Sequence, residues 1–216
     1  MRRPVVSGAP GPADGDGLMT SPAAERNLGP ILDVALPHLP ARGTVLELAS
    51  GTGQHVAAFA AHRPDLIFQP SDIDPARRAA TDARCRGLPN VAASVALDAG
   101  EAGWAALHGP VEGLIVVNLL HLITDGTMAV LLDEAARALS PGGRLAIYGP
   151  FLRDGVATSE GDARFDADLR AQDIGVGYKD IEVLTTVLGV LELSPRIVEM
   201  PANNLMVLGR KGTLGL

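Results

Sequence analysis

Glu47 stands two residues ahead of a run of small side chains, Ala49-Ser50-Gly51-Thr52-Gly53, which leads straight into Gln54-His55-Val56-Ala57-Ala58-Phe59-Ala60. Small residues let a nucleotide-like ligand lie against bare main chain, and glycine also permits positive φ. The dinucleotide fingerprint G-x-G-x-x-G is incomplete, because the third glycine position falls on Val56. No lysine follows to make a Walker A loop. Neither phosphate-binding pattern is therefore present, and the carboxylate of Glu47 is left to be explained.

Other residue types with chemical potential lie further along. Asp72 comes 19 residues after Gly53, at the end of Leu66-Ile67-Phe68-Gln69-Pro70-Ser71. An acid there can accept two hydrogen bonds from ribose hydroxyls. Asn118 ends the apolar run Leu114-Ile115-Val116-Val117, and His121 follows three residues later. With an ordinary pKa near neutrality, His121 is the best candidate for a general base; the alternative is a structural or surface histidine. Tyr148 and Asn203 are candidates for orienting a substrate. A packed strand-end aromatic and a turn former are their respective alternatives. Arg26 and Asn27 near the start of the first helix are either part of a lid, with Arg26 near a ligand carboxylate, or solvated surface residues. His55 supports the turn after Gly53. His38, His62 and His108 are scattered without metal-ligand spacing, and Cys85 is the single cysteine, so neither a metal site nor a disulfide is expected.

These residues need elements to position them. Thr44 to Leu48 reads as a buried parallel strand and the turn after it as the start of a βαβ unit. Ser21-Pro22-Ala23-Ala24-Glu25 reads as a helix start, with Ser21 as the cap and Pro22 at the first helical position, running to about Leu36. Leu66 to Asp72 and Val91 to Leu97 predict a second and a third strand, and Asp74 caps a helix opened by Pro75. Trp104 falls in a short helix. Thr124 to Ser140 has helical spacing, and Pro141-Gly142-Gly143 turns it into a strand from Arg144 to Tyr148. Gly149 to Gly177 is expected to be irregular, a functional loop or lid. A helix over Val183–Leu188 precedes strands Leu191–Met200 and Leu205–Arg210, which must be antiparallel because so few residues join them.

The bulk properties narrow the classes. At 216 residues and 47% hydrophobic, the chain fits one globular domain, 19–216, behind a Gly/Pro/Asp-rich tail, 1–18, expected to be disordered. A net charge of −7 argues against a nucleic-acid partner. No apolar run is long enough to span a membrane, and no signal peptide is recognisable, so a cytoplasmic protein is the default expectation.

The stretch Glu47 to Gly53 resembles motif I of the Rossmann-like S-adenosylmethionine (SAM) methyltransferases, E-x-G-x-G-x-G, with Ala49 in place of the first glycine. SAM carries no phosphate; its zwitterionic amino-acid end and its sulfonium suit a nearby carboxylate and backbone carbonyls. More narrowly, Ser21–Asn27, Gln69–Asp74, Tyr148–Phe151 and Met200–Asn204 look like segments of the methyltransferase-like 26 family, over roughly residues 19–211. The resemblance implies a mostly parallel seven-stranded sheet with a C-terminal antiparallel strand and helices on both faces. It implies SAM as cofactor, held by Arg26, Asn27, Glu47, Ala49, Ser50, Gly51, Thr52, Gly53, Asp72, Ile73, Asp98, Ala99, Asn118 and Leu119, with Asp98 at the adenine; an exposed loop acid is the other reading of Asp98. Phe151 and Asn203 fall to the substrate, and His121 and Tyr148 to catalysis. Two departures bear on the substrate side: Glu112-Gly113 opens a strand where an aspartate is common, and no tryptophan lies near Gly175.

Methyl transfer to a small-molecule acceptor is the function these features imply. An NAD-dependent oxidoreductase is the second enzyme reading, against which the missing glycine and the terminal antiparallel pair both speak. A SAM-binding protein without transfer activity, acting as a sensor or partner subunit, is the reading from another class. A protein acceptor would need an open groove. The oligomeric state is open, a homodimer included.

Overall fold

Val45, Leu46 and Leu48 have no exposed surface, and Glu47 among them is 2% exposed. A strand covered on both faces carries apolar residues at successive positions, because each face must be buried against a helix layer. In the computed structural model, which describes residues 11, 13–173 and 175–213, this strand is β1 (Gly43–Leu48) at the heart of a mixed sheet. Helix α1 (Pro22–Ala35) precedes it, and α2 (Gln54–His62), β2 (Leu66–Pro70), α3 (Pro75–Arg84), α4 (Trp104–His108) and β3 (Val111–Val117) follow. Then come α5 (Asp125–Ala138), β4 (Leu139–Leu152), α6 (Glu160–Gln172), β5 (Lys179–Asp180), α7 (Ile181–Val190), β6 (Arg196–Glu199) and β7 (Asn204–Arg210). The strand order is β2-β1-β3-β4-β7-β6, with β5 paired to the end of β4. Only β7 opposes the general direction: it is antiparallel to both β4 and β6, whereas β1–β2, β1–β3, β3–β4 and β4–β5 are parallel.

Alternation along the strands sends side chains to two cores. Leu46, Leu48, Leu114, Val116, Leu145 and Ile147 pack with Leu131 and Leu132 of α5 and Leu184 of α7. Val45, Ile115, Ala146 and Tyr148 pack with Ile31 of α1 and Phe59 of α2 on the other face. The chain leaves β1 toward β2 on one side and comes back to β3 on the other. That reversal opens a crevice outside the carboxyl ends of β1 and β3.

Several expected boundaries move. Residues 91–97 do not form a third strand. They join β2 only through isolated bridges at Phe68–Val91 and Ser71–Val95. The intervening Ala92-Ala93-Ser94 has little β propensity, and the Gln69 side chain donates to the Ala93 carbonyl (2.8 Å) in place of a ladder. The two-residue β5 completes the seven. Pro141-Gly142-Gly143 is absorbed into β4 as an irregularity that shifts the register against β3 between Val111 and Gly113. Most of Gly149–Gly177 is ordered, because β4 runs on to Leu152 and α6 fills 160–172. Ser159 caps α6: its Oγ accepts from the Asp162 N–H (3.1 Å) and its hydroxyl donates to the Asp162 carboxylate (2.6 Å). The last strand pair is shorter than expected. Glu192 and Ser194 take positive φ after α7, so β6 begins only at Arg196. Of the tail, residues 1–10 and 12 lie outside the described residues; Asp14 to Leu18 makes a turn, its Asp14 carboxylate accepting from the Asp16 and Leu18 amides.

Candidate functional site

The turn after β1 is held from behind. Ala49, Gly51 and Gly53 all have positive φ (53°, 61° and 73°), so left-handed residues alternate with extended or helical ones. For an alanine this conformation costs about 1 kcal/mol or more, a strain that accumulates at functional turns. Gly53 has a second reason: a Cβ there would lie 2.8 Å from the Thr81 Cα on α3. The Ser50 amide donates to Ser71 O (2.8 Å), Thr81 Oγ1 donates to Gly51 O (3.2 Å) and Arg84 Nε to Thr52 O (2.8 Å). With its rear contacts satisfied by β2 and α3, the turn shows its front to a cavity of about 760 Å³. Ligand pockets span about 300–1,000 Å³.

Arg26, Asn27, Glu47, Ala49, Ser50, Gly51, Thr52, Asn118, Leu119, His121 and Tyr148 line this cavity together. They come from α1, the β1 turn, the end of β3, the helical turn 120–122 and β4, segments far apart in sequence. Gly53, Asp72, Ile73, Asp98, Ala99, Phe151 and Asn203 do not line it. Asp72 lies behind the turn, its carboxylate accepting from the Gly51 amide (3.1 Å) and the Asp74 amide (2.9 Å). Ile73 is half exposed beside it. Asp98 accepts from the Gly100 amide (2.9 Å), and Ala99 O accepts from Trp104 Nε1 (3.3 Å). Phe151 is packed in the α5 and α7 core, which explains it without a ligand. Asn203, at φ 60° in the β6–β7 turn, donates to Asp162 Oδ2 (3.0 Å).

Burial sets the protonation of the lining groups. The Glu47 carboxyl is pushed up to about 8, first by desolvation and then by the nearby Asp72 charge, against the pull of Ser50. Its Oε2 is buried and has no hydrogen-bond partner among the described residues. Buried polar atoms in folded proteins are nearly always hydrogen-bonded, so an exception calls for an explanation. His55, also desolvated to about 4, is neutral and bonded through Nε2 to Asn27 Oδ1 (2.9 Å). Burial raises the Tyr148 pKa, and a hydrogen bond from Asn27 pulls the other way. Asn27 thus ties α1 to α2 and lies near the Tyr148 hydroxyl of β4. Arg26 is exposed at the rim. His121 is held neutral, down to about 4, by desolvation and then by the Lys179 charge. Lys179 itself is buried and ion-paired with Asp125 (2.8 Å).

On the opposite wall only the segment was expected to be functional, as part of Gly149–Gly177, and not the residues themselves. The wall consists of Leu122, Ile123, Asp162, Phe165 and Tyr178, with Pro201, Ala202 and Asn204 from the β6–β7 turn. The rings of His121, Phe165 and Tyr178 stand 6.0–6.2 Å apart, tilted by 59–72°. Asp162 takes hydrogen bonds from Thr158, Ser159, Asn203 and the Tyr178 hydroxyl. Burial opposes its charge, but these donors hold the carboxyl below the usual range. A clue was available in composition. The chain has only two tyrosines, and both reach this cavity. Among the described residues no group of three or more His, Cys, Asp or Glu side chains could hold a metal ion, and no helix is long and apolar enough to cross a membrane.

A family model described as "Protein of unknown function (DUF938)" matches residues 18–211. Among solved structures, an O-methyltransferase family protein from Burkholderia thailandensis superposes with TM-score 0.75 at 20% identity, covering 89% of this chain and 58% of that one. Human N-acetylserotonin methyltransferase in complex with SAM gives 0.71 at 16% identity, covering 88% and 53%. An O-methyltransferase family 2 protein from Planctomyces limnophilus, in complex with apigenin, gives 0.72 at 18% identity, covering 87% and 59%. The chain spans somewhat over half the length of these structures. At such identities the likeness establishes a shared fold, the α/β methyltransferase fold.

Proposed function

Since the chain belongs to the DUF938 family, whose description assigns no activity, we propose its function from the cavity: SAM-dependent methyl transfer to a small-molecule acceptor. The observation that carries this reading is Glu47, which lines a cavity bordered by the strained small-residue turn and whose buried Oε2 has no hydrogen-bond partner among the described residues. An ammonium group is a fitting partner for that carboxylate, and SAM offers one on its amino-acid end. The turn leaves main chain bare for the nucleoside, and Arg26 at the rim suits a carboxylate. The SAM complex of the human neighbour, on the same fold, supports the cofactor. So does the placement of the four segments that resemble the methyltransferase-like 26 family. Three of them contribute residues to the cavity wall, and Gln69–Asp74 braces the turn from behind.

When bound, SAM supplies a methyl carbon on a sulfonium; the acceptor's lone pair forms the new bond as the carbon–sulfur bond breaks and its electrons stay on sulfur. The chain's own part is to position, to exclude water and to take a proton. Helix α1 and α6 wall the cavity from two sides. His121, neutral and at the cavity, accepts the acceptor's proton; among the described residues no hydrogen bond engages its imidazole. Tyr148, buried at the cavity wall, orients the reactants.

Isothermal titration with SAM, S-adenosylhomocysteine and NAD tests the reading. Micromolar binding of SAM or S-adenosylhomocysteine, with NAD silent, is the expected result. Binding of NAD alone would return the turn to the oxidoreductases. His121→Asn should leave SAM affinity within a factor of about two while transfer falls by about 10²-fold or more, the usual worth of a general base.

A further inference from the structure

Helix α6 sends two residues to the cavity wall, Asp162 and Phe165, three positions apart and so neighbours on one face of the helix. Both line the cavity and neither is fully buried, so each keeps accessible surface there. The side-chain groups that hold the Asp162 carboxylate are all uncharged. The Thr158 and Ser159 hydroxyls and the Asn203 amide donate to Oδ2, and the Tyr178 hydroxyl donates to Oδ1 (3.1 Å). A carboxylate oxygen takes about two donors, so Oδ1 has room for another. No arginine or lysine pairs with Asp162 among the described residues. The two arginines of α6 are committed to other acids, Arg164 to Glu160 (3.5 Å) and Arg170 to Asp166 (2.9 Å). The neutral donors keep the Asp162 carboxyl below its usual range, so a negative charge stands at the cavity without a counter-charge.

The rest of this wall suits a cation. Phe165 and Tyr178 line the cavity beside Asp162, their rings 6.0 Å apart, and ring faces attract alkylammonium groups. His121, the third ring of the group, is neutral and adds no repulsion. The two arginines of the lining, Arg26 and Arg77, come from α1 and α3, on the side of the small-residue turn. On the α6 side Asp162 is the one formal charge among the lining residues. A lone negative charge repels an anion, and it rewards an ammonium with a charge-assisted hydrogen bond that a neutral hydroxyl makes only in weaker form. We infer that the methyl acceptor carries an alkylammonium group, that this group is seated against Asp162 Oδ1 and the ring of Phe165, and that Asp162 is the residue that selects it. The inference rests on the methyltransferase reading. The ammonium is a handle and not the reacting atom: protonated, it has no lone pair to offer. The methylated atom is a second nucleophile of the same molecule, presented toward His121.

The test compares two ligands that differ in charge and little else. Wild type, Asp162→Asn and Phe165→Leu are saturated with S-adenosylhomocysteine and titrated calorimetrically with 2-phenylethylamine and 2-phenylethanol. Wild type should bind the amine at least about tenfold more tightly, the margin of a charge-assisted over a neutral hydrogen bond. Asp162→Asn should bring the two ligands to within about twofold of each other, since only a neutral hydrogen bond is left to either. Phe165→Leu, which keeps apolar bulk, should weaken the amine by about three- to tenfold and move the alcohol by no more than about twofold, as loss of a cation–π contact requires. A loosened helix would weaken both ligands alike, so the ratio of amine to alcohol separates it from a lost charge or a lost ring. Where Asp162→Asn does not fold, the wild-type ratio and Phe165→Leu give the answer. Equal binding of amine and alcohol by wild type, or binding of neither, would overturn the ammonium class. A preference that survives in Asp162→Asn would overturn Asp162 as its source, and equal loss of both ligands in Phe165→Leu the part of the ring. A wild-type preference for SAM over S-adenosylhomocysteine that vanishes in Asp162→Asn, with no preference for the amine, would assign the carboxylate to the sulfonium instead. Failure of wild type to bind S-adenosylhomocysteine would remove the methyltransferase reading beneath the inference.

Discussion

The two halves of the cavity are built differently. One half is a contiguous stretch, Glu47 to Thr52, whose work is done by main chain, by missing side chains and by one buried carboxylate. The other is assembled from the helical turn after β3, from α6, from Tyr178 and from the β6–β7 turn, which meet only in the folded chain. The first half is braced at its main chain: the Ser50 amide donates to Ser71 O just beyond β2, and the Thr81 and Arg84 side chains of α3 donate to the Gly51 and Thr52 carbonyls. The second depends on side-chain hydrogen bonds converging on Asp162, and on Asp166, which accepts from the Tyr178 amide (2.6 Å) and pairs with Arg170 (2.9 Å). On the proposed function the backbone-built half takes the cofactor and is insensitive to most substitutions, whereas the side-chain-built half takes the acceptor and can be retuned one residue at a time.

The sharpest break in that contrast is Glu47, the buried carboxyl group within the backbone-built half. At pH 7 its carboxyl, lifted to about 8, is mostly protonated. A bound ammonium favours the ionised form, so binding should release a proton, and SAM affinity should rise as pH goes from 6 to 8. Titration in buffers of different ionisation enthalpy measures this directly. Glu47→Gln should weaken SAM by about 10- to 100-fold, the worth of a hydrogen bond to a charged group, and should abolish the proton release. An unchanged proton count would show that Glu47 does not face the cofactor.

Asp162 tests the side-chain-built half. Asp162→Ala removes the acceptor for Thr158, Ser159, Asn203 and Tyr178 at once, which should loosen α6 from the β6–β7 turn. The acceptor KM should rise by about tenfold, and amide exchange should quicken over 157–178, with SAM affinity unmoved. Protection lost instead around the β1 turn would mean that the two halves are one cooperative unit.

The smallest effect separates the two histidines. Both are held neutral, near 4, whereas an unfolded chain has them near 6.5. The unfolded state therefore binds more protons between those values, and stability falls as pH drops from about 6.5 toward 4. His55→Asn and His121→Asn should each flatten that slope, seen as melting temperature against pH. Only His55→Asn should also cost a few degrees at pH 7 (about 1 kcal/mol corresponds to ~2–4 °C at this size), because only His55 holds Asn27.

Much of this was readable in advance where the signal is local. The Ser21 cap, the turn at Ala49–Gly53, Asn118 at a strand end and the antiparallel pairing of the last strands all depend on neighbours within a few residues. Helix α6 escaped because its sequence, Glu160 to Gln172, offers just Phe165 and Leu169 as large apolar residues, one turn apart, and Ser159-x-x-Asp162 was the only start signal. The segment 91–97 had the apolar ends of a strand but not the pairing, which depends on what Gln69 and Pro70 do opposite it. Asp72 carried the right type and spacing for a ribose. Its carboxylate bonds to the Gly51 and Asp74 amides became visible only when both turns stood side by side.

By itself the sequence determined a doubly covered sheet, the strand–turn–helix that opens it, and a carboxylate next to bare backbone, because these follow from residue type and periodicity over short distances. Only the tertiary structure decided that Glu47 Oε2 has no hydrogen-bond partner among the described residues, and that Asp162 joins three segments and lines the cavity together with Phe165. Burial and convergence are properties of residues distant in the chain, and no local pattern encodes which of them will meet.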